Sequence, residues 1–218
     1  NPGNGVVALA IYPRNELLKD QFRTLVASAQ SLWVQNSSSR PLSAATWFSL
    51  TPYNAKAAMT AWRKISINNS HAYICPFLLC PVDDCKGRMA WIEKDLLASR
   101  ERLVCVSCGK DVDERFLRLT RSSAKKSPPD IMLSTTESLN RQLAYPANLR
   151  AFGIKPASLK VVLLDELHIY EGTTGAQNAY LFRRLRHALG RQPLWVALSA
   201  TLRNAGDFLS QCVNVPLT

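Results

Sequence analysis

The chain has 218 residues, enough to bury a sizeable core as one large domain or as one domain with a small module. Its 47% hydrophobic and 20% charged content fits a globular protein, and no apolar run approaches the roughly 20 residues of a membrane span, so no membrane partner is expected. A formal charge of +11 favours a polyanionic partner, and no secretory leader is visible, so a cytoplasmic location is expected.

In chain order, Gly5 to Ile11 is a continuous apolar run of the kind that forms a buried parallel strand. Tyr12-Pro13 ends it, and a helix follows from Asn15, a candidate N-cap, to about Val34, with Leu17, Leu18, Phe22, Leu25 and Val26 on its apolar face. Residues 36–40 form a Ser-rich loop. A second strand is expected over Thr46 to Leu50, stopped by Thr51-Pro52, and a helix over Ala55 to Arg63.

Residues 68–126 differ in character. They are cysteine-rich, charged and short of helical periodicity, and they read as an insertion that exits through Lys125-Lys126-Ser127-Pro128-Pro129. Alternation then resumes: a strand over Asp130 to Ser134, a helix from Glu137, a strand from Leu159 to Leu164, a helix over Thr174 to Leu189 closed by Gly190, and a strand over Leu194 to Leu198. Strands alternating with helices imply an α/β fold with a parallel sheet flanked by helices, and chemistry in such sheets collects at the carboxyl ends of strands. The expected organisation is therefore 1–67 and 127–218 as two parts of one lobe, with 68–126 inserted.

Five of the six cysteines lie between Cys75 and Cys108. Cys80 with Cys85, and Cys105 with Cys108, form two knuckle-like pairs, each with a glycine close behind the second cysteine. Short spacings of this kind favour metal over disulfides, and the four thiols suit a structural Zn2+ in a zinc-ribbon-like module. Cys75 is an alternative for Cys80 or Cys85. Cys212 reads as a buried apolar residue. Trp91 and Phe116 have two readings, base-stacking platforms or core of the module, and the core is favoured.

Asp165-Glu166-Leu167-His168 follows the buried strand Val161 to Leu164. A carboxylate pair at such a strand end is where nucleotide hydrolysis places a Mg2+ ligand and a residue that polarises water. Ser199-Ala200-Thr201 follows the next strand and offers small hydroxyls to neighbouring carboxylates. Taken singly, each has an ordinary alternative, a solvated strand end or a helix cap.

Together the two segments resemble motifs II and III of superfamily 2 DExH-box helicases, in the first RecA-like lobe. Tyr12-Pro13-Arg14-Asn15 through Gln21 then resembles motif Ia, and Pro129 to Leu139, with Thr135, Thr136 and Glu137, resembles the following strand-binding motif. The run from Leu167 through Gly172 and Gly175 to Arg183, Arg184 and Arg186 is similar to the subgroup of MrfA-type repair helicases and helicases of bacterial anti-phage systems. The resemblance implies a RecA-like fold, ATP and Mg2+ as cofactors, and nucleic acid, expected to be DNA, as partner. It further implies a second RecA-like lobe downstream and repair or defence subunits as further partners. In it, Asp165 coordinates Mg2+, and Glu166 activates water. His168, Ser199 and Thr201, with Ala200 between them, couple hydrolysis to strand movement, and Pro13, Arg14, Asn15, Gln21, Thr135, Thr136 and Glu137 hold the backbone.

One departure stands out: no Gly-x-x-x-x-Gly-Lys-Ser/Thr sequence occurs in the chain. The resemblance puts that loop upstream of Asn1, so the chain is expected to be an internal piece that hydrolyses no ATP by itself. The competing expectation is a catalytically inactive module that binds nucleic acid or a partner.

Overall fold

The computed structural model describes residues 5–36, 40–67, 69–199 and 204–216. Strand β1 (Ala8–Tyr12) leads into helix α1 (Asn15–Gln35), which buries Leu18, Phe22, Val26 and Ala29, spaced at three or four residues as one helical face requires. Strand β2 (Ala44–Trp47) starts and stops earlier than the sequence pattern suggests. Thr51 ends it, because its amide donates to Phe48 O and its hydroxyl accepts from the Phe48 amide, closing a turn over 48–51. Asn54 caps α2 (Ala55–Ala61) through the Ala57 amide at 2.9 Å.

The chain next builds a small antiparallel sheet: β3 (Arg63–Ile67), β4 (Ser70–Leu79), β5 (Arg88–Ile92), β6 (Leu103–Cys105) and β7 (Asp111–Val112), in sequential order, with the short helix α3 (Glu93–Leu97) after β5. The small sheet thus starts at Arg63 and ends at Val112. Strand β8 (Leu117–Arg118) and helix α4 (Arg121–Lys126), which the composition groups with the insertion, belong to the larger unit, because β8 pairs in parallel with β2.

The remaining elements are β9 (Ile131–Thr135), α5 (Thr136–Gln142), a 3-10 turn (Pro146–Phe152), β10 (Val161–Leu164), a second 3-10 turn (Leu167–Ile169), α6 (Gly172–Leu189), β11 (Leu194–Ala197) and α7 (Ala205–Val213). Helix α6 ends as expected. Gly190 adopts a left-handed conformation (φ 69°), and its amide reaches the carbonyls of Arg186 and His187, both at 3.1 Å.

The large sheet has the order β11-β10-β1-β9-β2-β8, and each of its strand pairs is parallel. Alternation along the strands divides two cores. Ala10, Tyr12, Ala44 and Leu133 face α1, while Leu9, Ile11, Ala45, Met132, Val162 and Leu164 face α5, α6 and α7. The first core does not stop at the lobe. It runs on through Phe77, Leu78, Cys80, Met89, Trp91, Leu103 and Phe116 of the cysteine-rich region. The insertion therefore shares its apolar core with α1. Trp91 and Phe116 are buried in it, at 0% and 3% exposure, so both pack and neither offers a stacking face.

Two buried carboxylates tie segments distant in sequence. Glu101 accepts hydrogen bonds from the Leu119 and Thr120 amides and from the Thr120 and Ser123 hydroxyls, all within 3.1 Å, joining the small sheet to α4. Burial pushes its carboxyl up, against the pull of these donors. Asp130 accepts from the amide and hydroxyl of Ser43 and pairs in two-pronged fashion with Arg40. No helix among the described residues is long and apolar enough to cross a membrane.

Candidate functional site

Parallel pairing lines up the carboxyl ends of the strands, so residues far apart in sequence share one edge of the sheet. Ile11 pairs with Leu164 and with Ser134, Tyr12 with Thr135, Trp47 with Ser134, and Leu164 with Ala197. The segments beyond these residues are the ones singled out in the sequence: Pro13-Arg14-Asn15, Thr135-Thr136, Asp165-Glu166 and Leu198-Ser199.

Asp165 extends β10 by one step, its amide donating to Ile11 O at 3.1 Å. The chain then turns sharply. Glu166 takes a left-handed conformation (φ 51°), unusual for a residue with a Cβ, and its amide donates to Asp165 Oδ1 at 2.9 Å. This bond fixes the carboxylate, and among the described residues no donor reaches Oδ2. The Leu167 amide donates to Leu198 O, and the Leu198 amide to Leu164 O, both at 2.9 Å. Two backbone bonds thus clasp the Asp-Glu-x-His turn to the segment entering Ser199. His168 Nδ1 lies 3.2 Å from Glu166 Oε2 without the alignment of a hydrogen bond. Ser199 Oγ is buried and has no partner among the described residues. Ala200 and Thr201 lie outside the described residues.

Two tyrosines near Asp165, Tyr12 and Tyr170, lie within runs singled out in the sequence but have no role of their own there. Burial, reinforced by the Asp165 charge, pushes the Tyr12 phenol up to about 12. Burial and the same carboxylate, with Cys212, push Tyr170 further in that direction. The Tyr170 hydroxyl is buried and has no partner among the described residues. Gly175 explains how α6 can begin so close: a Cβ there would sit 1.9 Å from Tyr170 O.

On the neighbouring strands, Arg14 occupies the N-cap position of α1 without a side-chain cap, and Asn15, the expected cap, is the first helical residue. Its side-chain amide donates to Ser49 Oγ at 3.3 Å. Arg14, Asn15 and Gln21 are exposed, and Pro13 is half-buried. Thr135 caps α5 by accepting from the Ser138 amide at 3.3 Å, Thr136 is half-buried, and exposed Glu137 pairs with Arg141 at 2.7 Å.

A second cluster lies in the small sheet. The thiols of Cys80, Cys85, Cys105 and Cys108 all lie within 4.8 Å of one another, with Cys80 to Cys108 at 3.5 Å and Cys85 to Cys105 at 3.7 Å. A tetrahedron of Zn–S bonds of about 2.3 Å has edges of roughly 3.8 Å, so the donor set and its spacing fit Zn2+. The Gly87 and Ser107 amides point at Cys85 and Cys105 sulfurs, each at 3.4 Å. Burial alone would raise the Cys105 thiol, yet the amides of Cys108 and Ser107 and the thiols of Cys108 and Cys80 bring it down to about 7. Cys80 is pushed up to about 12 by burial, partly offset by the Val82 amide. Cys75 is fully buried in the shared core, is raised to about 12 by that burial, and is not among the four converging thiols. Cys212 is buried in the other core, as its sequence reading expects.

Gly87 is needed here for space. Its Cβ would lie 2.5 Å from Cys105 Sγ and 2.7 Å from Ser107 Oγ. Arg23, unremarkable in sequence, clamps the first knuckle to α1. Its Nε donates to Cys80 O at 2.7 Å and its Nη2 to Val82 O at 3.0 Å, with Asp83 O and Cys85 O at 3.4 Å. Gln30 Nε2 donates to Asp111 O at 3.1 Å, and Trp33 meets Phe116 edge-on at 5.9 Å. Helix α1 thus carries Arg14 and Asn15 at one end and holds the cysteine module along its side.

No family model matches the chain. Over 97 residues it is 32% identical to an uncharacterised ATP-dependent helicase of Methanocaldococcus jannaschii, covering 43% of this chain and 14% of that protein. Over 88 residues it is 35% identical to the Lhr helicase/uracil glycosylase of Escherichia coli, covering 40% of this chain and 5% of that protein. Its fold is similar to that of the DUF1998 helicase MrfA, with a TM-score of 0.54 at 16% identity over 97% of this chain and 22% of that one. It is also similar to the Mycobacterium smegmatis helicase Lhr bound to ssDNA and AMP-PNP, with a TM-score of 0.53 at 17% identity over 96% of this chain and 19% of that one. The chain therefore spans a small part of each of these proteins. Sequence matches and fold neighbours converge on helicases, and the chain has a helicase-like fold.

Proposed function

We propose that this chain is part of the motor core of an ATP-dependent DNA helicase or translocase, in the first of its two RecA-like lobes, serving DNA repair or anti-phage defence in the cytoplasm. The observation that carries the reading is the clasp between the Asp165-Glu166 turn and the Leu198-Ser199 segment at the carboxyl edge of a parallel sheet, where α/β folds bind ligands. The likeness to helicases named above supports it.

In this reading Asp165, its carboxylate fixed by the bond from the Glu166 amide, would hold Mg2+. The metal supplies charge neutralisation at the phosphates of ATP. Glu166, turned out of the strand by its left-handed backbone, orients the attacking water and accepts its proton. His168 beside Glu166 and the buried Ser199 hydroxyl, with Ala200 and Thr201 following, couple that event to strand movement. Pro13, Arg14, Asn15 and Gln21 of one turn, and Thr135, Thr136 and Glu137 of the next, hold the nucleic-acid backbone. Cys80, Cys85, Cys105 and Cys108 hold a structural Zn2+. The phosphate-gripping loop and second lobe belong to other parts of the complete protein, and repair or defence subunits are its further partners.

The test is ATP turnover by the complete protein with and without single-stranded DNA, beside Glu166→Gln. We expect DNA-stimulated turnover that falls by about 10²- to 10⁴-fold in the variant. The 218-residue chain alone is expected to turn over no ATP. Absence of turnover by the complete, folded protein would instead support a binding module built on a helicase lobe.

A further inference from the structure

Cations without counter-charges gather on the side of the edge away from Asp165. Trp47, 2% exposed, closes β2. The Arg121 guanidinium lies 5.7 Å from its ring, and Lys125 Nζ lies 5.9 Å from that ring and 5.6 Å from the ring of Tyr53. The backbone holds the group together: the Arg121 and Ser122 amides donate to Pro52 O and Tyr53 O, and Arg121 Nη2 donates to Phe48 O at 2.9 Å.

Among the described residues no carboxylate lies within ion-pair distance of Arg121 or Lys125, whereas the nearby Arg141 is paired with Glu137. Burial, and then the charge of Arg141, lower the Arg121 pKa, as expected of a cation that has lost water and met a like charge. Arg121 Nε and Trp47 Nε1 are both buried donors with no acceptor among the described residues. The group is almost wholly a set of donors. Arginine and lysine have no acceptor atoms, and the indole N–H only donates. A half-buried guanidinium without a counter-charge costs free energy that an arriving oxyanion offsets.

Position then selects the anion. Strands β1, β9, β2 and β8 are successive neighbours, and their carboxyl ends carry Arg14-Asn15, Thr135-Thr136, Trp47 and, just beyond β8, Arg121. Three strand spacings span about 14 Å. We propose that Arg121, seated on Trp47, and Lys125 form an oxyanion site that takes a backbone phosphate of a nucleic-acid strand, beyond Thr135 and Thr136 on the same edge. The inference rests on the nucleic-acid reading above and adds two contact residues to it.

The experiment measures affinity of the complete protein for a mixed-sequence single-stranded DNA oligonucleotide across a salt series, for the parent, Arg121→Gln, Arg121→Lys and Lys125→Gln. A single-strand phosphate contact contributes about −0.7 to the slope of log K against log salt. Arg121→Gln and Lys125→Gln should each flatten the slope by about that amount, and Arg121→Lys should restore most of it. Because Lys125 Nζ makes no hydrogen bond among the described residues, Lys125→Gln keeps the test valid should Arg121→Gln lose stability. A steep parent slope unchanged in Lys125→Gln and in folded Arg121→Gln would overturn the site while leaving the nucleic-acid reading intact. No binding by the parent would overturn both. Arg121-dependent binding of inorganic phosphate with unchanged oligonucleotide slopes would assign the site to a small anion instead, also overturning the proposal.

Discussion

Gly87→Ala adds one methyl group to the most crowded point of the cysteine cluster. The new carbon would sit 2.5 Å from Cys105 Sγ and 2.7 Å from Ser107 Oγ. The Gly87 backbone is not in the left-handed region, so alanine is conformationally acceptable and the whole effect is steric. A thiolate bound to metal cannot yield without lengthening a bond. Overpacking of this sort costs about 1–3 kcal/mol, equivalent to zinc affinity weaker by roughly 5- to 140-fold. Gly109 is the internal contrast: it has φ 73° and open space within 4 Å of where a Cβ would sit, so Gly109→Ala is strained by backbone alone, at about 1–2 kcal/mol. Asparagine tolerates that conformation, so Gly109→Asn should recover much of the loss, while Gly87→Asn should be worse than alanine. Zinc competition with a chromophoric chelator, together with cobalt(II) absorption of the tetrathiolate site, reads both effects. Parent-like zinc affinity and an unaltered cobalt spectrum in Gly87→Ala would refute the steric argument and the assigned ligand geometry.

Three further outcomes follow from the packing. Arg23→Ala frees the first knuckle from α1 and should lower stability by about 1.5–3 kcal/mol, the range for hydrogen bonds from a charged donor, with zinc stoichiometry unchanged; hydrogen exchange across 80–85 should accelerate, and an unchanged exchange pattern would contradict the clamp. Asp130 is subject to burial, which raises its pKa, but Arg40 and Ser43 outweigh it and hold the carboxyl below its ordinary range. Its contribution to stability is therefore present above the unfolded-state value of about 3.9 and lost as pH falls through the lower folded value. Urea melts of Asp130→Asn against the parent, stepped from pH 5 to pH 2, should show a smaller acid-induced loss in the variant. Tyr170→Phe removes a buried hydroxyl that has no partner among the described residues, so the variant should be more stable, by up to about 1–3 kcal/mol; a loss of stability would show that the hydroxyl is paired.

Legibility in the sequence divides by the range of the forces involved. Apolar runs at Val161 to Leu164 and Leu194 to Leu198, the Gly190 stop and the knuckle glycines report local backbone and burial requirements, and these are legible in sequence because neighbours in the chain impose them. The convergence of Cys80, Cys85, Cys105 and Cys108 was likewise legible, since short pairs leave few ways to close a metal site. What sequence could not settle depended on partners distant in the chain. Strand β2 lies earlier than its hydrophobic pattern suggests because the Thr51 hydroxyl closes a turn on Phe48, and β8 joins the large sheet through pairing with Ala44 and Ala45. Arg23 carries no pattern at all, because its meaning lies in carbonyls of the first cysteine knuckle. Tyr12 and Tyr170 acquire theirs from burial beside Asp165, and Arg121 from its seat on Trp47 and the charge of Arg141. Sequence by itself determined the strands at the buried runs before Pro13, Thr136, Asp165 and Ser199, and which residue types can do chemistry, whereas the strands of the small sheet and β8 carried no such pattern. Only the tertiary structure decided that α1 and the cysteine module share one core, because burial is a property of the surfaces that meet and not of the residues that bring them.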